Sequence, residues 1–127
     1  MNEKSLKNKI RRLLLNEGAF VYCPNDNYQP GIPDILFCVG GKFRGVEIKL
    51  SRHITEEHVF LHHPLTAPQN RKLRDIAKAG GMGFVVTGLN SLDMIMITDI
   101  VNLPSGKISK LNKAGVIETA MGIPCLF

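Results

Sequence analysis

The first apolar residues of the chain recur at the spacing of an amphipathic helix. Four of them fall at positions i, i+4, i+7 and i+8: Leu6, Ile10, Leu13 and Leu14. This spacing places their side chains on one helix face. Asn2 suits the N-cap position, and Gly18 suits the residue that follows a helix end. The pattern predicts a helix over about residues 3–17, followed by a short apolar strand over about 19–23.

A β-hairpin is predicted around Gly40 and Gly41, because two adjacent glycines can both take the positive φ values of a two-residue turn. Pairing the flanking residues around this turn places Asp34 opposite Glu47. Lys49 lies two residues beyond Glu47 and therefore shares its face, since side chains alternate along a strand. The hairpin thus gathers three charged side chains, while three apolar ones point to the other face: Ile35, Val46 and Ile48.

Opposed carboxylates repel each other, so Asp34 and Glu47 need compensating positive charge. A divalent cation meets this need, because Mg²⁺ prefers oxygen ligands and commonly binds one or two carboxylates together with water and phosphate. Lys49 would then lie beside the metal. The same residues also allow a structural alternative, in which Lys49 forms salt bridges with both carboxylates on a solvated hairpin face.

The middle of the chain predicts a helix between two strands. Thr66 and Gln69 have the spacing of a capping box, and Gly80 suits the helix end. Capping accounts for Gln69 without any function, but it does not keep the side chain away from the charged patch. Strands are predicted over 82–87 and 94–97, and the strand–helix–strand order favours a right-handed parallel crossover.

Residues 51–65 are histidine-rich, and Thr55 suits the cap of a short helix there. His58 and His62 would lie one turn apart on that helix, a spacing that allows a zinc site although no third ligand is set up. Surface histidines without a metal are the alternative.

Towards the C-terminus, Thr98 and Asp99 predict the start of a short helix that ends before Pro104. The apolar residues beyond 105 suit either a cover for the sheet or a contact with a partner subunit.

Composition limits the functional classes. The 127 residues, 44% of them hydrophobic, predict one globular domain. No apolar run approaches the roughly 18 residues of a membrane span, and the charged N-terminus lacks the features of a signal peptide, so we expect an intracellular protein. The three cysteines are widely spaced, which favours neither disulfides nor a zinc site. A formal charge of +5 favours a polyanionic partner such as nucleic acid.

The residues of the hairpin also carry a family resemblance. Pro33-Asp34, a hairpin and then Glu47-Ile48-Lys49 resemble the PD-(D/E)XK nuclease superfamily, and together with Gly31 and Gln69 they look like its VRR-NUC (virus-type replication-repair nuclease) branch. The resemblance covers about residues 1–87. It implies an α/β, restriction-endonuclease-like core with a central mixed β-sheet, built on the hairpin 34–39/43–50 and flanked by helices. We expect a single nuclease domain over 1–127, with an insertion at about 51–65 and a C-terminal extension at about 98–127.

The resemblance further implies a Mg²⁺- or Mn²⁺-dependent deoxyribonuclease without an organic cofactor. It assigns catalytic roles to Asp34, Glu47, Lys49 and Gln69. It assigns the metal site to Asp34, Glu47, the backbone carbonyl of Ile48 and an acidic residue on the first helix, for which Glu3 matches and Glu17 is the alternative. Five residues are expected to contact nucleic acid: Lys7, Arg11, Tyr28, Arg52 and Lys72.

Stand-alone members of the resembled family imply a homodimer that cuts branched DNA, as a Holliday-junction resolvase does, in the cytoplasm of a bacterial or phage-infected cell. Other DNA substrates, such as flaps, nicks or duplexes, stay open. A domain of the same fold that binds nucleic acid without cutting it is a second alternative.

Overall fold

The computed structural model describes residues 2–25, 29–89, 94–113 and 126, together with the backbone of 116–119. Helix α1 spans Glu3–Asn16, as predicted. The Asn2 side chain accepts a hydrogen bond from the Ser5 backbone amide at 2.8 Å, and the Ser5 hydroxyl accepts one from the Asn2 amide at 3.1 Å. This capping box starts the helix at the expected residue.

The remaining elements described here are eight strands, helix α2 and one 3₁₀ turn. Strand β1 spans Phe20–Tyr22, β2 Ile35–Val39, β3 Lys42–Ile54, β4 His58–Leu65, β5 Met82–Gly88, β6 Met94–Asp99, β7 Ile108–Asn112 and β8 Val116–Thr119, and helix α2 spans Ala67–Lys78. In the described part of the chain the sheet runs in the order β1-β2-β3-β5-β6-β8, with β4 paired to β3 and β7 paired to β4.

The central hairpin has the predicted register. Gly40 and Gly41 take φ values of 57° and 76°, and β2 pairs antiparallel with β3 so that Ile35 faces Val46. The predicted parallel pairing of the strands before and after α2 is also confirmed, between β3 and β5. Strands β5 and β6 then pair antiparallel, which makes the sheet mixed.

The predicted short helix after Thr55 is wrong, because residues 58–65 form strand β4. Thr55 caps a tight turn between β3 and β4, where its hydroxyl accepts a hydrogen bond from the His58 amide at 3.1 Å. The misleading signal was the His58–His62 spacing, since four residues bring side chains to one face of a helix and of a strand alike. Among the described residues, no three or more His, Cys, Asp or Glu side chains are grouped closely enough to hold a metal ion, which leaves the zinc alternative without support.

Two apolar layers cover the two sides of the sheet. The layer on the α1 side joins α1 to the central strands through, among others, Leu6, Ile10, Leu14, Ile35, Val46, Ile48, Phe84 and Val86. The layer on the α2 side joins α2 to β4 and the strands after it through, among others, Val59, Leu61, Leu73, Val85, Met96 and Leu111. Neighbouring positions of β3 and β5 therefore point to opposite layers.

The segment after β6 builds onto the sheet as far as it is described. Asp99 caps a single 3₁₀ turn over Ile100–Asn102, which confirms a short helical turn before Pro104. Strand β7 pairs with β4, β8 pairs with β6, and Leu126 is buried in the α1-side layer. Cys23 and Cys38 are free thiols, while Cys125 lies outside the described residues. None of the helices described here has the length and apolarity needed to cross a bilayer.

Candidate metal centre

The centre of the site is the pair of carboxyl groups that the hairpin brings together. Asp34 immediately precedes β2, and its Oδ2 accepts a hydrogen bond from the Ile48 amide of β3 at 2.8 Å. This bond fixes the Asp34 carboxyl against the strand segment that carries Glu47. The predicted juxtaposition of Asp34 and Glu47 is therefore observed, and it is held by the backbone of Ile48.

Gly31 explains why this pair lies against the start of α2. Its φ is +83°, in the left-handed region, and a Cβ at this position would lie 2.4 Å from the backbone carbon and oxygen of Pro68. Only glycine allows the two chain segments to pass so closely. Since Gln69 follows Pro68, the close approach brings the first turn of α2 to the carboxyl pair.

Glu47 is the most strongly perturbed group of the site. It is 4% exposed, its Oε1 accepts a hydrogen bond from Gln69 Nε2 at 3.2 Å, and its Oε2 is buried without a hydrogen-bond partner among the described residues. The Glu47 pKa is raised from 4.5 to about 9, firstly by burial and then by the negative charge of Asp34. Two ionised carboxylates at one site repel each other. The pair is therefore stabilised either by one shared proton or by a bound cation.

Lys49 is buried on the same face, with 5% of its surface exposed. Its positive charge lowers the Glu47 pKa, yet the opposing effects of burial and Asp34 are larger. The alternative of a salt-bridge cluster required a solvated hairpin face. The burial of Glu47 and Lys49 contradicts that requirement.

Gln69 combines the capping role with a contact to the site. Its side-chain oxygen accepts a hydrogen bond from the Thr66 amide at 2.9 Å, and its own amide donates to the Thr66 hydroxyl at 3.2 Å. The side-chain nitrogen is left free to donate to Glu47. The two interpretations of Gln69 from the sequence are therefore compatible. The oxygen of its side-chain amide caps the helix, and the nitrogen of the same group contacts Glu47.

Glu3 lies near the pair, at the N-terminal end of α1. A cavity of about 300 Å³ is lined by Glu3, Lys4, Lys7, Asp34 and Ile48, and the charge of Glu3 contributes to raising the Glu47 pKa. Glu17 caps the opposite end of α1 and is exposed. The position of Glu3 suits the site, although it does not complete a group of three close acidic ligands among the described residues.

The residues expected to contact nucleic acid are distributed around the site. Lys7 lines the same cavity as Asp34, and Arg11 is exposed one turn further along α1. Arg52 is exposed on β3, where the register with β4 shifts. Lys72 lines a second cavity on the α2 side. Tyr28 lies outside the described residues.

Sequence reasoning missed Thr87. This residue is fully buried, its hydroxyl has no hydrogen-bond partner among the described residues, and it lies beside Lys49 in the parallel register of β3 and β5. No local motif marks it. Only an alignment of the two strands would have placed a hydroxyl next to Lys49.

The donor set of this site fits a divalent cation. Two carboxyl groups face each other, a buried oxygen of one lacks a donor, and the backbone carbonyl of Ile48 lies between Glu47 and Lys49 in the chain. Oxygen donors of this kind are the ligands of Mg²⁺ and Mn²⁺, and Mg²⁺ usually keeps several water ligands. Two carboxylates and a carbonyl are therefore sufficient protein ligands.

Comparison with known proteins extends the description of the fold. No protein-family model matches the sequence, and no curated protein matches it. A solved structure of Hjc, a Holliday junction resolvase from Archaeoglobus fulgidus, superposes with a TM-score of 0.66 at 16% identity, over 89% of this chain and 93% of that one. A bacterial homing endonuclease superposes with a TM-score of 0.52 at 14% identity, over 87% of this chain and 70% of that one. The chain therefore has a restriction-endonuclease-like fold, with a mixed sheet flanked by helices.

Proposed function

We propose that this protein is a Mg²⁺- or Mn²⁺-dependent DNA endonuclease. The observation that carries the proposal is the carboxyl pair of half-buried Asp34 and buried Glu47, in which Glu47 Oε2 has no donor among the described residues. Burying an acid beside a second carboxylate is unfavourable unless a proton or a cation joins them. The pair lies on a fold shared with a resolvase and a homing endonuclease.

The proposed metal ligands are Asp34, Glu47 and the carbonyl of Ile48. Glu3, which lines the same cavity as Asp34 and Ile48, is proposed as a further acidic ligand. When bound, a divalent cation supplies Lewis-acid activation of water and neutralises charge on a phosphate. The protein fixes the ligands in advance. The Ile48 amide holds Asp34, and Gln69 holds one oxygen of Glu47.

Lys49 and Gln69 complete the proposed catalytic set. The ammonium group of Lys49 is buried beside Glu47, where it stabilises negative charge that develops on the phosphoryl oxygens or orients the attacking water. Gln69 keeps Glu47 Oε1 in a hydrogen bond, so that the second oxygen remains available. Both roles are electrostatic and both depend on exclusion of bulk water from the site.

The proposed substrate is branched DNA, recognised by shape and backbone rather than by sequence. A chain of 127 residues with a charge of +5 has little room for a sequence-reading domain. Symmetric cleavage of a four-way junction needs two active sites, so we propose a homodimer of the VRR-NUC type, acting in DNA replication, recombination or repair in a bacterial or phage-infected cell. The proposed phosphate and base contacts are Lys7, Arg11, Tyr28, Arg52 and Lys72.

A cleavage panel tests this proposal. Four-way junction, flap, single-stranded and plain duplex DNA are incubated with the protein and Mg²⁺ or Mn²⁺, and we expect the junction to be cut fastest and EDTA to stop cutting. Asp34→Ala, Glu47→Ala and Lys49→Ala should each abolish cleavage with the fold intact by circular dichroism. Glu56→Ala, an acidic truncation in the exposed turn between β3 and β4, is the matched control and should cut normally.

Two outcomes would contradict the proposal. Cutting retained by purified Asp34→Ala protein would remove the metal site from the reaction. Binding of all four DNAs without any cutting, in either metal, would favour the non-catalytic alternative. Sedimentation that shows one subunit on a bound junction would remove the two-site model while leaving the endonuclease itself in place.

A further inference from the structure

Three aromatic side chains are exposed on β1 and at the start of β3. Phe20 is 73% exposed, Tyr22 56% and Phe43 46%. Phe20 pairs with Cys38 across β1 and β2, and Cys38 pairs with Phe43 across β2 and β3, so these residues form one row across the sheet. Paired residues share a face. Tyr22 lies two residues beyond Phe20 and points the same way.

This face is the one that carries α2 and Glu47. Val21 packs into the α1-side layer, so its neighbours Phe20 and Tyr22 point to the opposite side. Phe43 and Glu47 are both odd-numbered positions of β3, and side chains alternate along a strand. The three rings, which we call the aromatic platform, therefore lie on the same side of the sheet as the proposed metal ligands.

A cavity of about 560 Å³ adjoins the platform at Phe43 and runs under the C-terminal half of α2. Its apolar lining includes Pro33, Leu36 and Ile76, and its charged lining is Lys42, Arg44, Lys72 and Asp75. Positive residues thus outnumber the single acidic residue of the lining.

We propose that the aromatic platform and the adjoining cavity bind an unpaired segment of nucleic acid. Its bases would stack on Phe20, Tyr22 and Phe43, and its phosphates would lie against Lys42 and Lys72. Aromatic rings beside a positive groove are the combination that binds single strands, because every base offers a π-face.

The charges also favour this ligand over a second copy of the chain. In a symmetric dimer formed through this surface, the cluster of Lys42 and Lys72 would approach its own copy, and like charges at an interface oppose association. A polyanion gains from the same cluster.

The platform is placed to guide a strand to the proposed metal site. Phe43 and Glu47 are four residues apart on one strand, about 13 Å along β3. Helix α2 carries Gln69 at the site and Lys72 one turn later, beside the cavity. Cleavage beside an unpaired segment rests on the proposed function, whereas binding at the platform does not.

Fluorescence anisotropy in EDTA tests the binding without cleavage. A labelled oligothymidylate of about 15 nucleotides is titrated with the wild-type protein and with Phe20→Ala, Tyr22→Ala and Phe43→Ala. Each truncation should weaken binding about 5- to 150-fold, the range that corresponds to the loss of one stacked base. Tyr22→Phe and Phe43→Tyr, which keep a ring, should bind as the wild type does.

Val101→Ala is the matched control, because Val101 is an exposed apolar residue at 65% that lies on the 3₁₀ turn instead. Unchanged affinity in the Phe20→Ala/Phe43→Ala double variant would overturn the proposal, as would a change from dimer to monomer in that variant without loss of DNA binding. Asp34→Asn separates the two claims. If Asp34→Asn protein binds the oligonucleotide normally and wild-type protein never cuts DNA, the endonuclease proposal fails and the platform stands.

Discussion

The two sides of the central sheet are built differently. On the α1 side, Ile35, Val46 and Ile48 pack with Leu6 and Ile10 in an apolar layer. On the α2 side, the apolar layer is interrupted by buried polar groups in two rows across the strands. Glu47, Val85 and Thr98 form one row, and Lys49, Thr87 and Met96 form the other.

The difference lies in hydrogen bonding as well as in polarity. Glu47 Oε2, Thr87 Oγ1 and Thr98 Oγ1 are buried and have no partner among the described residues. Each such group costs about 1–3 kcal/mol of stability. The apolar layer on the α1 side has the composition expected from folding alone, whereas these three groups are ones that folding does not favour. The contrast supports the role proposed for Glu47.

The largest expected stability effect belongs to the α1 side. Ile10 is fully buried, so Ile10→Ala should lower the free energy of unfolding by about 2–5 kcal/mol, measured by urea denaturation. Cleavage per folded molecule should stay close to that of the wild type, because Ile10 does not line the cavity that contains Asp34. A loss of cleavage larger than the loss of folded protein would contradict the claim that the α1-side layer serves stability alone.

Glu47→Gln should raise the free energy of unfolding rather than lower it. The Glu47 pKa is raised from 4.5 to about 9, so the metal-free folded state holds a proton that the unfolded state releases. The stability that this proton gives is complete below pH 4.5 and is lost as the pH rises towards 9.

Since glutamine does not ionise, Glu47→Gln should exceed the wild type in stability by about 1–3 kcal/mol at pH 8 in EDTA, and it should not cut DNA. Thermal denaturation at pH 5 and pH 8 measures this difference. A wild-type protein that gains stability over that interval relative to Glu47→Gln would contradict the raised pKa. Glu56→Gln, an exposed carboxylate, is the control and should show no such dependence.

Substitutions of Gln69 separate its two roles. Gln69→Ala removes the capping box and the bond to Glu47, so we expect a stability loss of about 1 kcal/mol together with a fall in cleavage rate of about tenfold. Gln69→Glu keeps an acceptor for the Thr66 amide but places another carboxylate beside Glu47. It should retain stability better than Gln69→Ala at pH 5, and it should cut no better. Equal cleavage by wild type and Gln69→Ala would limit Gln69 to capping.

Thr98→Val should have the smallest effect. It replaces a buried hydroxyl without a partner among the described residues by a methyl group of similar size. We expect a gain of about 1 kcal/mol, or roughly 4 °C in melting temperature, with unchanged cleavage. A melting temperature below that of the wild type would mean that the hydroxyl has a partner.

The sequence predicted the local geometry around the candidate site better than it predicted the pairing of the surrounding sheet. Gly40 and Gly41 determine a local turn, and the turn fixes the register that brings Asp34 to Glu47. Thr66 and Gln69 likewise interact within one helical turn. These features depend on residues close together in the chain, so local rules are sufficient.

The features that were missed depend on pairing between distant segments. Strand β4 was mistaken for a helix because the spacing of His58 and His62 suits both structures, and only its pairing with β3 and β7 decides between them. Thr87 and Thr98 join the polar rows only through the registers of β3 with β5 and of β5 with β6. No local signal encodes those registers.

Calorimetric titration with Mn²⁺ at pH 7.5, in two buffers of different ionisation enthalpy, tests the central claim most directly. If Asp34 and Glu47 hold the cation, binding must displace the proton from Glu47, and the two buffers should report release of about one proton per ion. Asp34→Asn should abolish the binding heat, while Glu56→Gln should preserve it. Absence of heat in the wild type, or an undiminished heat in Asp34→Asn, would contradict the metal centre.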